Sequence, residues 1–269
     1  MAKEDLAPKI VIKSVKMIFR DLGYIGLYLL PFAISVPTYI FTYDKISYLR
    51  SLADMNKLNF AEIYQFAILA LPIYLIIWII SSISASGTII KAYEEFKGSR
   101  LPALSALGEG IRFVPRLIGA SIISSVVVSS IVLIPFALLF LGAYTKNYSL
   151  IFILVGLSIT LFLIMGILAI YLSLKLSLFA PACVLKDLGC IDSLKESWRI
   201  TKGNLLFVFI VLIFIAIFSI PFAILNYIPI GIPIGSLLSV LIIGPVSSIA
   251  LTLTFLKLSG EMQEFFIHS

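Results

Sequence analysis

Six long apolar stretches limit what this chain can fold into more than any other feature of its sequence. A helix needs about 20 consecutive apolar residues to cross the hydrocarbon core of a bilayer. Because lipid offers no hydrogen-bond partners, spanning segments of this length form helices, which pair their own backbone groups. We predict spans at residues 22–43, 63–90, 117–144, 150–174, 205–226 and 234–256.

The composition predicts a single membrane domain. The chain has 269 residues, of which 61% are hydrophobic and 13% are charged, whereas roughly 25% of the residues of a soluble domain are charged. The longest polar segments, residues 44–62 and 91–116, are too short to bury a core of their own. We therefore predict one integral membrane domain over residues 1–269, an all-α polytopic bundle of six transmembrane helices.

The distribution of lysine and arginine predicts the orientation of this bundle. Sixteen of the 20 lie in the N-terminal segment, in the second and fourth connections between spans, or after the last span. In a six-span chain these segments share one side, and basic connections favour the cytoplasm. We expect a multi-pass protein of the cell membrane with both termini cytoplasmic. The net charge of +6 then favours anionic lipid headgroups on that side as partners, rather than nucleic acid.

Short sequence matches predict three similar units. Glu109 and Arg112 recur, at the same spacing, as Glu196 and Arg199. The second span of each pair ends near one lysine, and these are Lys91, Lys175 and Lys257. We predict that each unit is an amphipathic interfacial helix followed by a transmembrane hairpin.

The first amphipathic helix has the clearest pattern. Its basic residues recur at helical spacing and are Lys9, Lys13, Lys16 and Arg20. Its apolar residues recur with the same spacing on the opposite face and are Val11, Val15, Ile18 and Leu22. This pattern is typical of a helix that lies at the membrane surface with its lysines toward the headgroups. The alternative is an extension of the first span into water.

Residues 186–204 form the best-patterned polar segment between two spans. Ser193-x-x-Glu196 fits a capping box, which predicts that Ser193 caps a helix N-terminus. Glu196 and Arg199 are three residues apart and are expected to pair. Three residues are predicted to share the apolar face of this helix, namely Ile191, Leu194 and Trp198.

Residue type also predicts where Trp198 lies relative to the membrane and where this helix ends. The ring of Trp198 suits the boundary between lipid and water, where its body is apolar and its N–H is wet. Gly203 lies in the sequence Lys202-Gly203-Asn204 and is expected to end the helix and turn the chain into the fifth span.

The predicted spans contain hydroxyl groups but no ionisable residue at mid-span. Intramembrane charges mark most ion and proton pathways, so a proton-coupled pump and a voltage sensor are disfavoured. Small residues recur every four positions in three sets, which are Ser121/Ser125/Ser129, Ser82/Ser86 and Gly244/Ser248. Packing seams between helices are one interpretation of these sets, and a polar pore lining is the other.

The sequence offers few residues that could bind a metal or a cofactor or catalyse a reaction. The single histidine, His268, lies one residue from the end, and the two cysteines, Cys183 and Cys190, belong to no CxxC pair. A zinc site needs a cluster of such ligands. We therefore predict no metal, no cofactor and no enzymatic activity.

One signature in residues 175–205 points to a known family. It comprises a basic residue, a proline, an apolar pair, an acidic–glycine turn and a Ser-x-x-x-Thr-Lys-Gly exit. These positions are Lys175, Pro181, 184–185, 187–189, Ser197, Thr201, Lys202 and Gly203. The signature and the six-span layout resemble the membrane domain fused to some glycerophosphoryl diester phosphodiesterases, and related uncharacterised bacterial and archaeal proteins. The resemblance implies a role near lipids or their glycerophosphodiester products. We expect no phosphodiesterase domain here, so no catalytic residue carries over.

Three functions follow as hypotheses. The first is a protein that binds or moves lipids or small amphiphiles. The second is a membrane scaffold or regulatory subunit without flux, and the third is a passive channel or permease lined by the Ser121/Ser125/Ser129 face. A protein partner or a homo-oligomer is compatible with each of them. An intramembrane enzyme is the least favoured, because no acid–base set is visible.

The candidate residues fall into two groups. Predicted headgroup contacts are Lys175, Arg199, Lys202 and Arg112. Predicted structural residues of the same motif are Glu109, Pro181, Ser193, Glu196, Ser197, Trp198 and Gly203. The competing interpretation of all of them is membrane topology and helix capping.

Overall fold

The computed structural model describes residues 6–55, 59–144, 148–226 and 234–261, and within these ranges the chain forms helices and no strand. In chain order the helices are α1 (Ala7–Arg20), α2 (Gly23–Asp54), α3 (Phe60–Phe96), α4 (Ala103–Ile111), α5 (Val114–Tyr144), α6 (Tyr148–Leu176), α7 (Phe179–Leu185), α8 (Cys190–Thr201), α9 (Leu205–Leu225) and α10 (Ile234–Ser259).

Six of these helices, α2, α3, α5, α6, α9 and α10, are long and apolar enough to cross a membrane. This confirms the predicted fold class, an all-α polytopic membrane bundle. The helices are longer than the predicted spans. With 37 residues, α3 is about 55 Å long at 1.5 Å per residue, whereas the hydrocarbon core is about 30 Å thick. Hydropathy marks where lipid begins, while a helix continues into water as long as its backbone stays paired.

The long helices form three hairpins, α2/α3, α5/α6 and α9/α10, each preceded by a short amphipathic helix. These short helices are α1, α4 and α8. The separate helix α7 was not predicted. It exists because Pro181 lacks a backbone N–H, which is tolerated in the first turn of a helix but breaks a helix interior. The long helix therefore ends at Leu176 and a new one begins at Phe179.

The core of the bundle lies around the second half of α10. This helix packs against α1, α2, α3 and α9, and also contacts α7 and α8. Six of its apolar side chains there are fully covered, namely Val246, Ile249, Ala250, Leu253, Phe255 and Leu256. We call this end of the molecule, which carries α1, α4, α7 and α8, the basic end. Only 6% of the residues in the most apolar stretches of α3, α5 and α6 are buried, so the described part of the chain leaves most of these side chains uncovered.

The amphipathic pattern of α1 is used for packing against protein. Lys9, Lys16 and Arg20 are exposed, as predicted. The opposite face contacts α9 and α10 through residues that include Ile10 and Ile18. Leu22, which was predicted on that apolar face, is exposed because α1 ends at Arg20 and the chain turns before α2 begins.

The predicted packing seams are confirmed in two places. Ser86 donates to the Gly110 carbonyl across the α3–α4 contact at 3.1 Å, and Ser248 pairs with the Tyr28 hydroxyl across the α10–α2 contact at 2.9 Å. The set Ser121/Ser125/Ser129 differs, because Ser125 and Ser129 are exposed on the surface of α5. They form neither a seam within this chain nor the wall of an enclosed path through it.

Candidate functional site

The break between α6 and α7 is held together by α8. Ser197 accepts a hydrogen bond from the Leu178 N–H at 3.1 Å and donates one to the Lys175 carbonyl at 2.8 Å. The hydroxyl of Thr201 lies 3.4 Å from the same carbonyl. Ser197 and Thr201 are both inaccessible to solvent. These bonds replace backbone pairing that the break removes, and they hold the backbone of Lys175 in place.

The ammonium group of Lys175 lies between two aromatic rings. Its Nζ is 5.2 Å from the ring centre of Trp198 and 5.8 Å from that of Tyr171, and the two rings meet edge to face. Lys175 is only 3% exposed. Cation–π contacts at this distance stabilise a charge, although by only about 0.5–2 kcal/mol.

Lys175 has no carboxylate partner. Within the described ranges its Nζ makes no hydrogen bond and no salt bridge, although three donor positions are available. The nearby charge of Lys202 is also positive and repels it. No described polar side-chain atom is both fully inaccessible and without a hydrogen-bond partner. The amine therefore keeps some contact with the molecular surface, and an anion can reach it.

The corresponding lysine of the first hairpin has an internal counter-ion. Lys91, near the end of α3, contacts Asp21 at 2.6 Å, donates to the Leu101 carbonyl at 2.7 Å and lies over the Tyr24 ring. Its side chain is 5% exposed. Lys91 and Lys175 are thus both buried near the end of a helix. Within the described part of the chain, a carboxylate neutralises Lys91 and none neutralises Lys175.

The predicted pair on α8 is confirmed. Arg199 binds Glu196 with two hydrogen bonds of 2.7 Å each, and Lys186 donates to the same carboxylate at 2.5 Å. The bonds from Arg199, together with those from Lys186, outweigh the effect of burial and lower the pKa of Glu196 to about 2. Arg199 is therefore already committed to an internal carboxylate, which makes it a weaker candidate for a headgroup contact than Lys175.

Ser193 is not a helix cap, and this prediction is wrong. Helix α8 begins at Cys190 after Gly189, and Ser193 lies inside it, where its hydroxyl donates to the Cys190 carbonyl at 2.8 Å. Glu196 therefore has no capping role either, and it reaches Lys186 and Arg199 instead. The chain starts the helix one turn early because Gly189 adopts the extended cap conformation by itself.

The predicted apolar face of α8 is only partly correct. Leu194 is buried, whereas Ile191 and Trp198 are exposed. The buried face instead carries Ser193, Leu194, Ser197, Ile200 and Thr201. Exposure of 40% still suits Trp198 to the membrane boundary. The predicted exit is confirmed, because Gly203 has a positive φ of 79°, a conformation that glycine adopts without strain.

The matching residues on α4, Glu109 and Arg112, do not repeat the contact between Glu196 and Arg199. Glu109 and Arg112 are exposed, and no salt bridge joins these two side chains. Arg112 instead lies 4.6 Å from the ring of Phe113. Helix α4 packs against α3 and α2, so Arg112 belongs to a different group of helices from Lys175 and Lys202.

The ionic contacts between residues far apart in the chain were not predicted from the sequence, and two of them are short. Arg116 at the start of α5 binds Asp187 at 2.5 Å and joins the second hairpin to the α7–α8 turn. The other is the Lys91–Asp21 pair described above. In the sequence, Arg116 indicates only orientation, and Lys91 indicates orientation and the repeated unit, because a partner about 70 residues away leaves no local pattern.

A family model matches residues 67–258 and carries the description domain of unknown function, DUF7847. Because the match covers most of the chain, from near the start of α3 to the end of α10, the chain belongs to this family. No curated protein and no solved structure matches the chain.

Proposed function

We propose that this member of the DUF7847 family binds anionic lipids at its basic end, and that Lys175 is a contact for the headgroup. The observation that supports this most is Lys175, a residue only 3% exposed whose ammonium group has no counter-ion within the described part of the chain. A buried charge is costly unless it is paired. An anion from outside the chain would supply the missing partner, with Lys202 beside it as a second cation.

The surroundings of Lys175 favour a lipid as the source of that anion. The residue lies at the end of an apolar helix, where Trp198 and Tyr171 form the kind of aromatic boundary that occurs at headgroup level. The side chains of α6 above it are largely uncovered by protein. A phosphate at Lys175 would therefore be followed by acyl chains along the exposed surface of α6.

We further propose that the basic end faces the cytoplasm of a cell membrane. Of the 17 lysines and arginines within the described ranges, 15 lie at this end, and cytoplasmic leaflets carry most of the anionic lipid. Headgroup binding at Lys175 would then take place in the leaflet that supplies the ligand.

The test compares Lys175→Met with Lys195→Met in purified protein. Both variants remove one positive charge from the basic end, but Lys195 is exposed and pairs only with Asp192 at 3.4 Å. Phosphatidylglycerol is added to the protein in neutral detergent, and binding is followed by native mass spectrometry and by the rise in Tm that ligand binding causes. We expect at least a tenfold loss of affinity, about 1.4 kcal/mol, for Lys175→Met alone.

A loss of folding is not expected to account for this result, because Lys175→Met removes a charge that has no carboxylate partner within the described residues and keeps a similar volume. We expect the Tm without lipid to stay constant or rise. Equal losses in both variants would show general attraction between charges and would refute the role of Lys175. If wild-type protein binds phosphatidylglycerol no better than phosphatidylcholine, the lipid proposal fails and the scaffold hypothesis takes its place.

A further inference from the structure

A second polar cavity lies at the basic end, between the α1–α2 junction and the α3–α4 connection. Its volume is about 320 Å³. Six of its seven lining residues are charged or polar, and the full set is Arg20, Asp21, Lys91, Glu95, Ser99, Arg100 and Leu101. A space of this size corresponds to on the order of ten water molecules. Neither Lys175 nor any other residue of the proposed lipid site lines it.

Both carboxylates of this cavity are already satisfied. Asp21 is bound by Lys91 at 2.6 Å and by the Gly23 N–H at 2.8 Å. Burial raises the pKa of Asp21, but the bonds from Lys91 and Gly23 prevail, and the pKa is lowered overall. Glu95 accepts a hydrogen bond from the Tyr24 hydroxyl at 2.8 Å. These pairs form a floor in which each carboxylate already has a hydrogen-bond donor.

The cations of the cavity outnumber its carboxylates. Arg100 is exposed on the wall and, within the described part of the chain, forms no hydrogen bond and no salt bridge. Arg20 contacts Glu95 only at 3.7 Å, and its side chain is 70% exposed. Arg20 is thus held by one long contact, and Arg100 lies close enough to Asp21 for its charge to help lower the pKa of that carboxyl. Both guanidinium groups keep N–H donors that can bind a common anion above the floor.

We propose that this cavity binds a phosphate group through Arg100 and Arg20. A guanidinium group presents N–H donors in a planar fork that matches two phosphate oxygens. The single apolar lining residue, Leu101, gives an acyl chain little surface to contact. The walls therefore suit a small phosphorylated molecule from water, and a lipid headgroup is the other source of the same chemistry.

The test compares Arg100→Gln with Lys97→Gln in the full-length protein. Lys97 lies three residues away, pairs with Glu94 at 3.8 Å and does not line the cavity. Inorganic phosphate is titrated calorimetrically in neutral detergent, and phosphatidylglycerol is tested separately in nanodiscs. We expect at least tenfold weaker phosphate binding in Arg100→Gln, and a change of less than twofold in Lys97→Gln and in Lys175→Met.

Each outcome decides one part of the inference. Phosphate binding that depends on Arg100 identifies a water-soluble ligand. Arg100-dependent binding of phosphatidylglycerol without phosphate binding supports the same phosphate contact and identifies a lipid headgroup as its source. If neither probe binds, or if both glutamine variants weaken binding equally, the proposed site is wrong. The exposed position of Arg100 makes loss of folding in this variant unexpected, and an unchanged Tm verifies this.

Discussion

The hydroxyl group of Ser197 links three segments of the chain by hydrogen bonds. It pairs with the Leu178 N–H and the Lys175 carbonyl, and all three residues are almost fully buried. Water therefore has little access to replace either bond. A buried donor or acceptor without a partner costs about 1–3 kcal/mol, so this single side chain stabilises the break between α6 and α7. The same contact keeps the backbone of Lys175 in place.

At this scale we predict that Ser197→Ala lowers the free energy of unfolding by about 2–4 kcal/mol, because the buried Leu178 N–H loses its partner and the Lys175 carbonyl keeps only the 3.4 Å contact with Thr201. Ser193→Ala is the matched control. Ser193 is equally buried and also lies on α8, but its hydroxyl bonds only to its own helix, so we expect a loss below about 1 kcal/mol. Denaturant unfolding followed by circular dichroism measures both. Similar losses would contradict the bridging role.

Helix α4 lies close to α3 because glycines meet at the contact. A Cβ added to Gly110 would come within 2.6 Å of the Ser86 hydroxyl and 2.8 Å of the Gly87 backbone nitrogen. A Cβ on Gly87 would in turn approach the Ala106 carbonyl at 3.3 Å. Small residues of this kind let two helix backbones approach closely. This contact holds α4, and with it the start of the second hairpin, against the first hairpin.

For this element we predict opposite effects from two alanine substitutions in α4. Gly110→Ala forces the helices apart and is expected to cost about 1–3 kcal/mol. Gly108→Ala, with nothing within 4 Å of the new Cβ, is expected to stabilise the helix by about 0.5–1 kcal/mol. Thermal unfolding in neutral detergent gives the order of the three Tm values. A Gly110→Ala protein as stable as the wild type would rule out the close contact.

Across the whole molecule, charge and packing concentrate at one end. The short helices, the ion pairs of Lys91, Arg116 and Glu196, and the buried half of α10 all lie at the basic end. The remaining parts of α3, α5 and α6 present apolar side chains that protein does not cover. The hairpins are thus anchored to one another on one side, and the proposed lipid site and phosphate cavity share that side.

The orientation of the molecule is tested by labelling single cysteines in a protein that carries Cys183→Ala and Cys190→Ala. Ser51 lies near the far end of α2, and Ser105 lies on α4 at the basic end; both are exposed. In intact cells we expect a membrane-impermeant maleimide to label Ser51→Cys and to leave Ser105→Cys unlabelled until the membrane is permeabilised. The reverse pattern would place the basic end outside and would contradict the proposed cytoplasmic leaflet.

The sequence alone determined the features that depend on neighbouring residues. Hydropathy over about 20 residues marks a span, so the six crossing helices were predictable, although not their extensions into water. Helical spacing predicted the amphipathic helices and the pair of Glu196 with Arg199. Glycine chemistry predicted the turn at Gly203. The resemblance to phosphodiesterase-linked membrane domains stays a prediction.

Only the tertiary structure decided which polar groups meet. Ser193 and Ser197 lie four residues apart on α8, but only Ser197 faces the break between α6 and α7. Lys91 and Lys175 look alike in the sequence, yet Asp21 neutralises the first, and no carboxylate in the described part of the chain reaches the second. The reason is physical: a counter-ion is effective over a few ångströms, and residues 70 positions apart come within that distance only after the helices have packed.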